Sequence, residues 1–367
     1  MTLHSLTLTG FRSIRNLHLE LEPLNVIVGA NGCGKSNLYK AVRLLHEAAC
    51  GRLSIALAEE GGMQNAIWAG APRKGQGKTA PKRIILATRS DEFDYELQLS
   101  YPTPGISLFS LDPLVKEESL WLAGQGRRPS ALLLERRNQA AFLLSVEGER
   151  VTYPGSLYEE ESLFGQLAEP HRYPEISQLR ESMRRWRFYH EFAVWPGSPL
   201  RAPQVGIRSP ILAHDGANLA AAFQTIQEIG DDEILNSVLS DAFPDCTFSV
   251  EVQPSGRFQM LMHRNGLYRP LQAAELSDGT LRFLCLAVAL LSPRPPGFMA
   301  LNEPENSLHP DLFPALARLI AEASRYSQLW VTSHSPRLAQ LIARHRPVKL
   351  FALAIQDGET QVQETSS

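Results

Sequence analysis

The sequence predicts an α/β fold, because predicted strands and helices alternate along much of the chain. An apolar strand, LNVIV (24–28), leads into the glycine-rich loop GANGCGKS (29–36), and a segment with the apolar spacing of a helix follows at 35–49. In the last third of the chain, predicted helices separate three further strands: FMALN (298–302), LWVTS (329–333) and KLFALAI (349–355). Strands separated by helices are typical of a parallel sheet.

An antiparallel β lobe is predicted for the first part of the chain. The segments LHSLTLTG (3–10) and NLHLELE (16–22) alternate apolar and polar residues, as half-buried strands do. Several short apolar runs between Arg83 and Val151 are separated by proline and glycine, which predicts an antiparallel sheet. These runs are RIILATR (83–89), FDYELQLS (93–100), ISLFSL (106–111), ALLLERR (131–137) and AFLLSV (141–146).

The middle of the chain is predicted to be mainly helical. The helical patterns are LYEEESLFGQLA (157–168), EISQLRESMRRW (175–186), GANLAAAFQTIQEI (216–229) and DEILNSVLSDAF (232–243). The chain then returns to strands, CTFSVEV (246–252) and FQMLMHR (258–264), and to helices that start at Ser277 and Asp311. We therefore predict three parts: an N-terminal part with the β lobe (1–152), a helical insert (153–245), and a C-terminal part that completes the α/β core (246–367).

The composition indicates a globular protein without a membrane span. The chain has 367 residues, of which 44% are hydrophobic, enough for a sizeable core. Its longest apolar run, FLCLAVALL (283–291), is too short to cross a membrane, and no secretory signal is present, so we expect a cytoplasmic protein. The four scattered cysteines predict free thiols. The net charge of −3 means that any nucleic-acid binding would need local basic patches.

The glycine-rich loop predicts a phosphate-binding site. It fits the pattern G-x-x-x-x-G-K-[ST] in the required context, between a strand and a helix. The glycines allow backbone N–H groups to surround phosphate oxygens, Lys35 would neutralise the β- and γ-phosphates, and Ser36 would bind Mg²⁺. The predicted nucleotide-binding residues are Gly29, Asn31, Gly32, Cys33, Gly34, Lys35, Ser36 and Asn37. A similar run, GQGKT (75–79), is rejected because no apolar strand precedes it.

The segment LNEPENSLHP (301–310) predicts the metal and water-activating residues. In most P-loop ATPases an aspartate at the end of such a strand helps to bind Mg²⁺, and many of them follow it with a glutamate that polarises the attacking water. Here these positions are Asn302 and Glu303. Glu303 keeps the role of general base, whereas Asn302 offers an amide oxygen to the metal site but no charge. Glu305 is a further candidate for the missing charge.

The segment ELSDGTLRFL (275–284) predicts a second helix end that can bind an anion. Ser277 would cap the helix, Gly279 would let a phosphate approach, and the following apolar run would be buried. By itself the pattern also fits an ordinary capped core helix. In combination with the two preceding motifs, it indicates a phosphate-binding role.

Together with GFRSI (10–14) and VTSHSP (331–336), these motifs resemble the RecF and SMC-like branch of ABC ATPases. The resemblance implies a P-loop ABC-type ATPase core with an antiparallel β lobe and a helical insert. It also implies a head-to-tail homodimer around two ATP molecules, in which Ser277 and Gly279 of one subunit complete the site of the other. Lys35, Glu303 and His334, the switch histidine, would be catalytic, and Arg12 and Ser13 would lie near the nucleotide.

Two functions remain open from the sequence. The first is an ATPase that acts on DNA in repair or recombination, as the RecF resemblance implies. The second is a weakly hydrolysing switch that recruits a protein effector, such as a nuclease in phage defence, and Asn302 favours it. A transporter motor fits the motifs less well. No long heptad segment is present, so the chain resembles compact RecF, and no room is left after KLFALAI for a nuclease domain.

One segment of the insert predicts a nucleic-acid surface. Arg180, Arg184 and Arg187 have spacings of four and three, which would place them on one face of a helix. The alternative is a solvated helix with Trp186 packed in the core. Basic residues between Arg73 and Arg83 could also contact phosphates, although a solvated hairpin loop is the favoured explanation.

Overall fold

A computed structural model of the chain describes residues 1–70, 81–102, 108–153 and 155–363. The strands are β1 (Leu3–Phe11), β2 (Ile14–Glu20), β3 (Leu24–Gly29), β4 (Ile84–Ser90), β5 (Phe93–Ser100), β6 (Leu114–Leu122), β7 (Leu132–Arg137), β8 (Ala140–Leu144), β9 (Arg150–Thr152), β10 (Arg187–Tyr189), β11 (Gln204–Val205), β12 (Cys246–Val252), β13 (Arg257–Arg264), β14 (Leu271–Gln272), β15 (Phe298–Asn302), β16 (Gln328–Ser333), β17 (Lys349–Gln356) and β18 (Glu359–Gln363). The helices are α1 (Lys35–Ala49), α2 (Leu53–Glu59), α3 (Gly62–Ala66), α4 (Leu163–Gln166), α5 (Pro174–Arg184), α6 (Leu219–Ile229), α7 (Asp232–Ala242), α8 (Asp278–Leu290), α9 (Phe313–Ala323) and α10 (Pro336–His345).

The chain forms two compact units. The first contains Met1–Glu22, Gly29–Trp186 and the C-terminal segment from Phe351. The second contains Pro23–Val28 and Arg187–Leu350. Helices α4 and α5 therefore belong to the first unit, and α6 and α7 to the second.

The first unit contains an eight-stranded sheet with the order β2-β1-β4-β5-β6-β7-β8-β9. All of its neighbouring strands are antiparallel, as predicted for the runs between Arg83 and Val151, and β1 and β2 extend the same sheet. The predicted strand ISLFSL is wrong where the structure describes it, because Leu108 and Phe109 are exposed in a turn. The strand lies at Leu114–Leu122 instead, where three consecutive charged residues, 116–118, hide the apolar alternation.

The helical predictions in the first unit are confirmed in part. Helix α1 begins and ends at the predicted residues, and its apolar face is buried. In LYEEESLFGQLA only Leu163–Gln166 is helical. Ser162 caps this short helix, and the carboxylate of Glu161 accepts hydrogen bonds from the backbone N–H groups of Leu53 and Ser54 at the start of α2. The segment before Ser162 thus serves to cap another helix rather than to form one.

The second unit contains the predicted strands β3, β15 and β16, which are parallel, and β10, which was not predicted, pairs with β15 in the same direction. Val28 pairs with Ser333, and Asn302 pairs with Thr332. The carboxyl ends of these strands therefore lie at one edge of the sheet. The loops that carry the predicted functional residues leave the sheet from this edge.

The strands predicted at 246–264 do not join the parallel sheet. β12 and β13 pair in antiparallel fashion, β11 and β14 pair with β13, and together they form a separate small sheet in the second unit. Only a short turn that contains Gly256 connects β12 to β13. A connection this short permits an antiparallel hairpin but not the crossover that a parallel pair requires.

Helix α8 lies at the centre of the apolar core of the second unit. Its residues from Leu281 to Leu290 are buried, as predicted. The ring of Phe283 is fully buried and packs edge-on against the ring of Phe243, with 5.5 Å between the centroids. Among the described residues, no helix is both long and apolar enough to cross a membrane.

We predict that Phe283→Ala lowers the free energy of unfolding by about 3–5 kcal/mol, because it removes a fully buried ring and leaves a cavity. Urea unfolding of the purified protein measures the change. As a control, Tyr268→Ala should change the same quantity by less than about 0.5 kcal/mol, since Tyr268 is fully exposed. Equal losses from the two variants would contradict the central position of Phe283.

Candidate functional site

The glycine-rich loop follows Val28, the last residue before the chain enters the first unit. Gly32 and Gly34 have positive φ angles of 79° and 102°, which side chains rarely adopt. A Cβ on Gly34 would also lie 2.2 Å from the Thr360 hydroxyl oxygen. A Cβ on Gly32, by contrast, would have no atom within 4 Å. Glycine is therefore required at position 34 by both backbone and packing.

Lys35 and the start of α1 are the parts of the loop that are predicted to bind phosphate. The Lys35 side chain is buried, and its Nζ donates to the carbonyl oxygens of Gly29 at 2.6 Å and of Ala30 at 3.0 Å. Gly34 occupies the N-cap position, so no side chain caps the first N–H groups of the helix. Such N–H groups and the helix dipole favour a bound phosphate. Ser36 is exposed beside them.

Arg12 and Ser13 lie against the helix that follows the loop. Asn37 Nδ2 donates to Ser13 Oγ at 2.8 Å, and Arg12 Nη1 donates to Asn37 Oδ1 at 3.5 Å. Arg12 also forms an ion pair with Glu60, which Lys40 contacts at 2.8 Å. Burial raises the pKa of Glu60, but the hydrogen bonds and charges of Lys40 and Arg12 outweigh it and lower the pKa below its usual value.

Thr360, in β18, supports the loop and was missed by sequence reasoning. Its hydroxyl donates to the Cys33 carbonyl oxygen at 3.0 Å and lies 2.7 Å from Ser13 Oγ. Its backbone N–H donates to the Ser13 carbonyl at 2.8 Å. No local pattern distinguishes a lone threonine so far along the chain, so only the fold shows its contact with the loop.

In the second unit, Asn302 ends β15, and both ends of its side-chain amide are hydrogen-bonded. Its Nδ2 lies 2.7 Å from Nδ1 of His190, and its Oδ1 accepts from the hydroxyl of Thr332 at 2.6 Å. The residue is only 4% exposed. One lone pair of the amide oxygen is thus engaged, and the predicted metal role of Asn302 stays a prediction.

Glu303 follows Asn302 with a strained backbone. Its φ of 49° is unusual for a residue with a side chain. Its N–H donates to the Thr332 carbonyl at 2.9 Å, and its Oε2 accepts from Asn306 Nδ2 at 2.8 Å. These two bonds fix the direction of a half-buried carboxylate. The geometry agrees with the predicted role of Glu303 as a base but does not test it.

His334 follows β16 and lies beside Glu305. The Oε1 atom of Glu305 accepts from the backbone N–H of His334 at 2.9 Å and from the Ser333 hydroxyl at 2.5 Å. His334 Nδ1 lies 3.3 Å from the same oxygen. The side chain of Glu305 is 2% exposed and that of His334 is 45% exposed. A buried carboxylate thus faces the inner side of an exposed imidazole.

The segment ELSDGTLRFL (275–284) contains the start of α8, as expected. The Ser277 hydroxyl oxygen accepts from the N–H of Thr280 at 3.1 Å. A Cβ on Gly279 would lie 2.9 Å from the carbonyl oxygen of Ser307, so a larger residue would displace the turn after Glu303. Arg282 Nη2 donates to the Glu303 carbonyl at 3.4 Å, and burial lowers the pKa of the Arg282 guanidinium. The start of α8 is therefore packed and bonded to the Glu303 turn.

The predicted basic face at 180–187 is wrong. Helix α5 ends at Arg184, and Arg187 lies in strand β10, in the other unit. Arg180 donates to the backbone carbonyl of Leu167. Trp186 is fully buried, in agreement with the alternative prediction. The rejected GQGKT run, together with Arg73, Lys74 and Lys78, lies outside the described residues.

Three solved structures share the fold of the whole chain. An SMC head bound to the C-winged helix domain of ScpA has a TM-score of 0.59 at 15% identity, covering 100% of this chain and 98% of that one. An Smc head from Pyrococcus furiosus, with an extended coiled coil and bound to the C-terminal domain of ScpA, has a TM-score of 0.56 at 15% identity. The match covers 100% of this chain and 96% of that one. An Smc head with a coiled coil and joint from Pyrococcus yayanosii has a TM-score of 0.55 at 12% identity. The match covers 100% of this chain and 97% of that one. These likenesses confirm the predicted fold, a P-loop ABC-type ATPase core.

Residues 24–339 match the model of a family described as "AAA domain, putative AbiEii toxin, Type IV TA system". Since the match covers most of the chain, the protein belongs to this family. Family and fold together confirm the predicted class, the RecF/SMC-like ABC-type ATPases. No curated protein matches the sequence.

We predict that Thr360→Val lowers the free energy of unfolding by about 1–3 kcal/mol, because the Cys33 carbonyl and Ser13 each lose a buried hydrogen-bond partner. Valine has nearly the same shape, so packing is preserved. Chemical denaturation measures the change. Thr247→Val, at an exposed strand position, is the matched control and should have little effect. If both variants are equally stable, Thr360 does not support the loop.

Proposed function

We propose that this protein binds and hydrolyses ATP with Mg²⁺ as a homodimer and acts on DNA. One observation carries the ATPase proposal. The glycine-rich loop, with its buried Lys35, follows Val28 near the end of β3. Val28 is in register with Ser333, at the edge of the sheet where β15 ends at Asn302. Parallel strands thus lead from one edge of the sheet to the glycine-rich loop, Asn302 and Glu303, which supports the proposed roles of these residues.

The residues present fit a nucleoside triphosphate and its metal. Lys35 and the N–H groups at the start of α1 would bind the phosphates, and the exposed Ser36 hydroxyl would bind Mg²⁺. Asn302 is proposed as a further metal-site residue. When bound, ATP supplies a phosphoanhydride bond whose cleavage can drive a conformational change. Glu303 would accept a proton from the attacking water, with its carboxylate oriented by Asn306. His334 would contact the γ-phosphate side through its exposed ring.

A homodimer is proposed because the second unit carries its own anion-binding helix end. Ser277 and Gly279 lie at the start of the 13-residue helix α8, where N–H groups and the helix dipole favour a phosphate. One molecule already has a complete phosphate-binding loop. We therefore propose that this second helix end completes the nucleotide site of another copy, as the resemblance to RecF and SMC proteins implies.

The DNA-related part of the proposal rests on the RecF and SMC resemblance. Two of the similar SMC heads are described as bound to domains of ScpA, which supports a protein partner for this chain as well. A nuclease partner would suit a repair function. If DNA binds in a cleft of the dimer, affinity should fall steeply with salt, because each contacted phosphate releases counterions.

We predict that Mg-ATP converts the protein from monomer to dimer and that DNA accelerates phosphate release. Solution mass with and without Mg-ATP, measured beside phosphate release, checks both. Glu303→Gln should lower turnover by about 10²–10⁴-fold, the usual contribution of a general base, and accumulate the dimer. Lys35→Ala should weaken ATP binding about 10- to 100-fold, since it removes charge-assisted hydrogen bonds.

The matched control is Lys349→Ala, an exposed lysine outside the proposed site, which should bind ATP normally. If the protein stays monomeric when its sites are saturated with Mg-ATP, the homodimer proposal is contradicted. Turnover that ignores DNA at low salt would contradict the DNA-related part, while leaving ATP hydrolysis in place.

A second candidate is a nucleotide switch with slow turnover that recruits a protein effector, for example in phage defence. The specific observation that favours it is Asn302. Its amide is buried, carries no charge and is already hydrogen-bonded to Thr332 and His190. Without the negative charge, Mg²⁺ is held more weakly and hydrolysis is slower.

We predict that Asn302→Asp raises turnover and lowers the Mg²⁺ concentration needed for half-maximal rate, because it adds a charge beside the metal site. A magnesium titration of phosphate release measures both quantities. Asn236→Asp, on α7, is the control for adding a charge elsewhere. An unchanged or lower rate would show that the missing charge does not limit hydrolysis.

A further inference from the structure

Glu305 is buried beside His334, and its carboxylate is hydrogen-bonded to the segment that carries this histidine. Within the described residues, the carboxylate of Glu305 lies close to the Ser333 hydroxyl at 2.5 Å, the His334 N–H at 2.9 Å and His334 Nδ1 at 3.3 Å. All three meet the same oxygen, Oε1. The other oxygen, Oε2, is buried and has no hydrogen-bond partner in the part of the chain that the structure describes.

This arrangement is costly for a residue that serves only to fill space. A buried carboxylate loses its hydration, and an unpaired buried oxygen adds to that loss. The charge-assisted bonds to Ser333 and His334 offset the cost. An uncharged residue of similar size would fill the same volume more cheaply. The placement of the carboxylate is therefore explained better by what it does to His334.

The contact with Nδ1 determines how the His334 ring can be used. A carboxylate oxygen accepts hydrogen bonds, so the neutral ring is favoured with its proton on Nδ1, facing Glu305. Nε2 then carries a free lone pair. The backbone bond from His334 to the same oxygen fixes the start of the side chain, and the ring is 45% exposed on its outer side.

We propose that Glu305 is a positioning residue that holds His334 in the Nδ1–H form, with Nε2 directed outward to accept a hydrogen bond from water in the nucleotide site. The inference rests on the proposed function for the site itself. The preference of the ring for one tautomer, however, is a property of the protein alone. It can be measured without nucleotide.

The first experiment records the ring-nitrogen resonances of His334 in protein labelled with ¹⁵N-histidine, at about pH 8, above the ordinary histidine pKa of about 6.5. His334→Gln identifies the signals. We expect a protonated Nδ1 and an unprotonated Nε2 in the unaltered protein. Glu305→Ala should remove this preference, and Glu305→Gln should retain it, because its amide oxygen still accepts a hydrogen bond.

A control variant is available elsewhere in the chain. His18 forms an exposed pair with Glu20, with Nε2 2.7 Å from the carboxylate. Glu20→Ala should leave the His334 resonances unchanged. If Glu305→Ala also leaves them unchanged while ATP binding shows that the protein is folded, the proposal is overturned. The same holds if the unaltered protein carries its proton on Nε2.

The second experiment is a double-mutant cycle on turnover. Glu305→Ala should lower kcat about 10-fold or more and change KM little. A loss of about 10-fold is the lower end of what is usual when a histidine loses the hydrogen-bond partner that orients its ring. Glu305→Gln should restore most of the rate. In a His334→Ala background, Glu305→Ala should have no further effect, since the residue acts through the histidine.

The two experiments separate the failure of the proposal from failure of the proposed function. Deviations from additivity usually stay below about threefold in rate. A larger further drop on adding Glu305→Ala to His334→Ala would therefore show that Glu305 does not act through the histidine. If the unaltered protein hydrolyses no ATP, the ATPase proposal fails. The resonance experiment then still decides whether Glu305 holds the ring.

Discussion

Parallel strands end at a common edge, and this constraint determines where the functional residues of the second unit lie. The register pairs Val28 with Ser333 and Asn302 with Thr332, so the chain leaves the edge at three neighbouring points. The phosphate-binding loop, Glu303 and His334 follow these three strands directly. Loops at this edge can vary in length and shape without disturbing the buried strands that position them.

The turn after β15 is held in place by neighbouring residues of the second unit. Glu303 has a positive φ, a conformation that persists only where its surroundings enforce it. Thr332 binds its N–H, and Arg282 of α8 binds its carbonyl. Gly279 allows the start of α8 to pack closely on the same turn. A phosphate at the start of α8 would therefore act on a helix that is bonded directly to the proposed base.

Local patterns predicted the features that are determined locally. The bounds of α1, the Ser277 cap and the buried strands follow from residue spacing over a few turns. The contacts of Thr360 and His190 depend on segments that are far apart in the sequence, so no local pattern indicates them. The basic-face prediction failed because it assumed that a helix continued to Arg187, whereas Trp186 is buried and the chain is extended from residue 187. Helix ends are set by packing as much as by spacing.

Asn302 shows how a departure from a familiar motif can be stable in its own setting. Its amide donates to His190 Nδ1 and accepts from Thr332, so both of its polar groups are satisfied in a position that is 4% exposed. A carboxylate there could not donate to His190, and the ring would have to place a proton on Nδ1 to bind it. Its burial would also cost more than that of an amide. The surroundings of residue 302 thus favour the neutral side chain over a carboxylate.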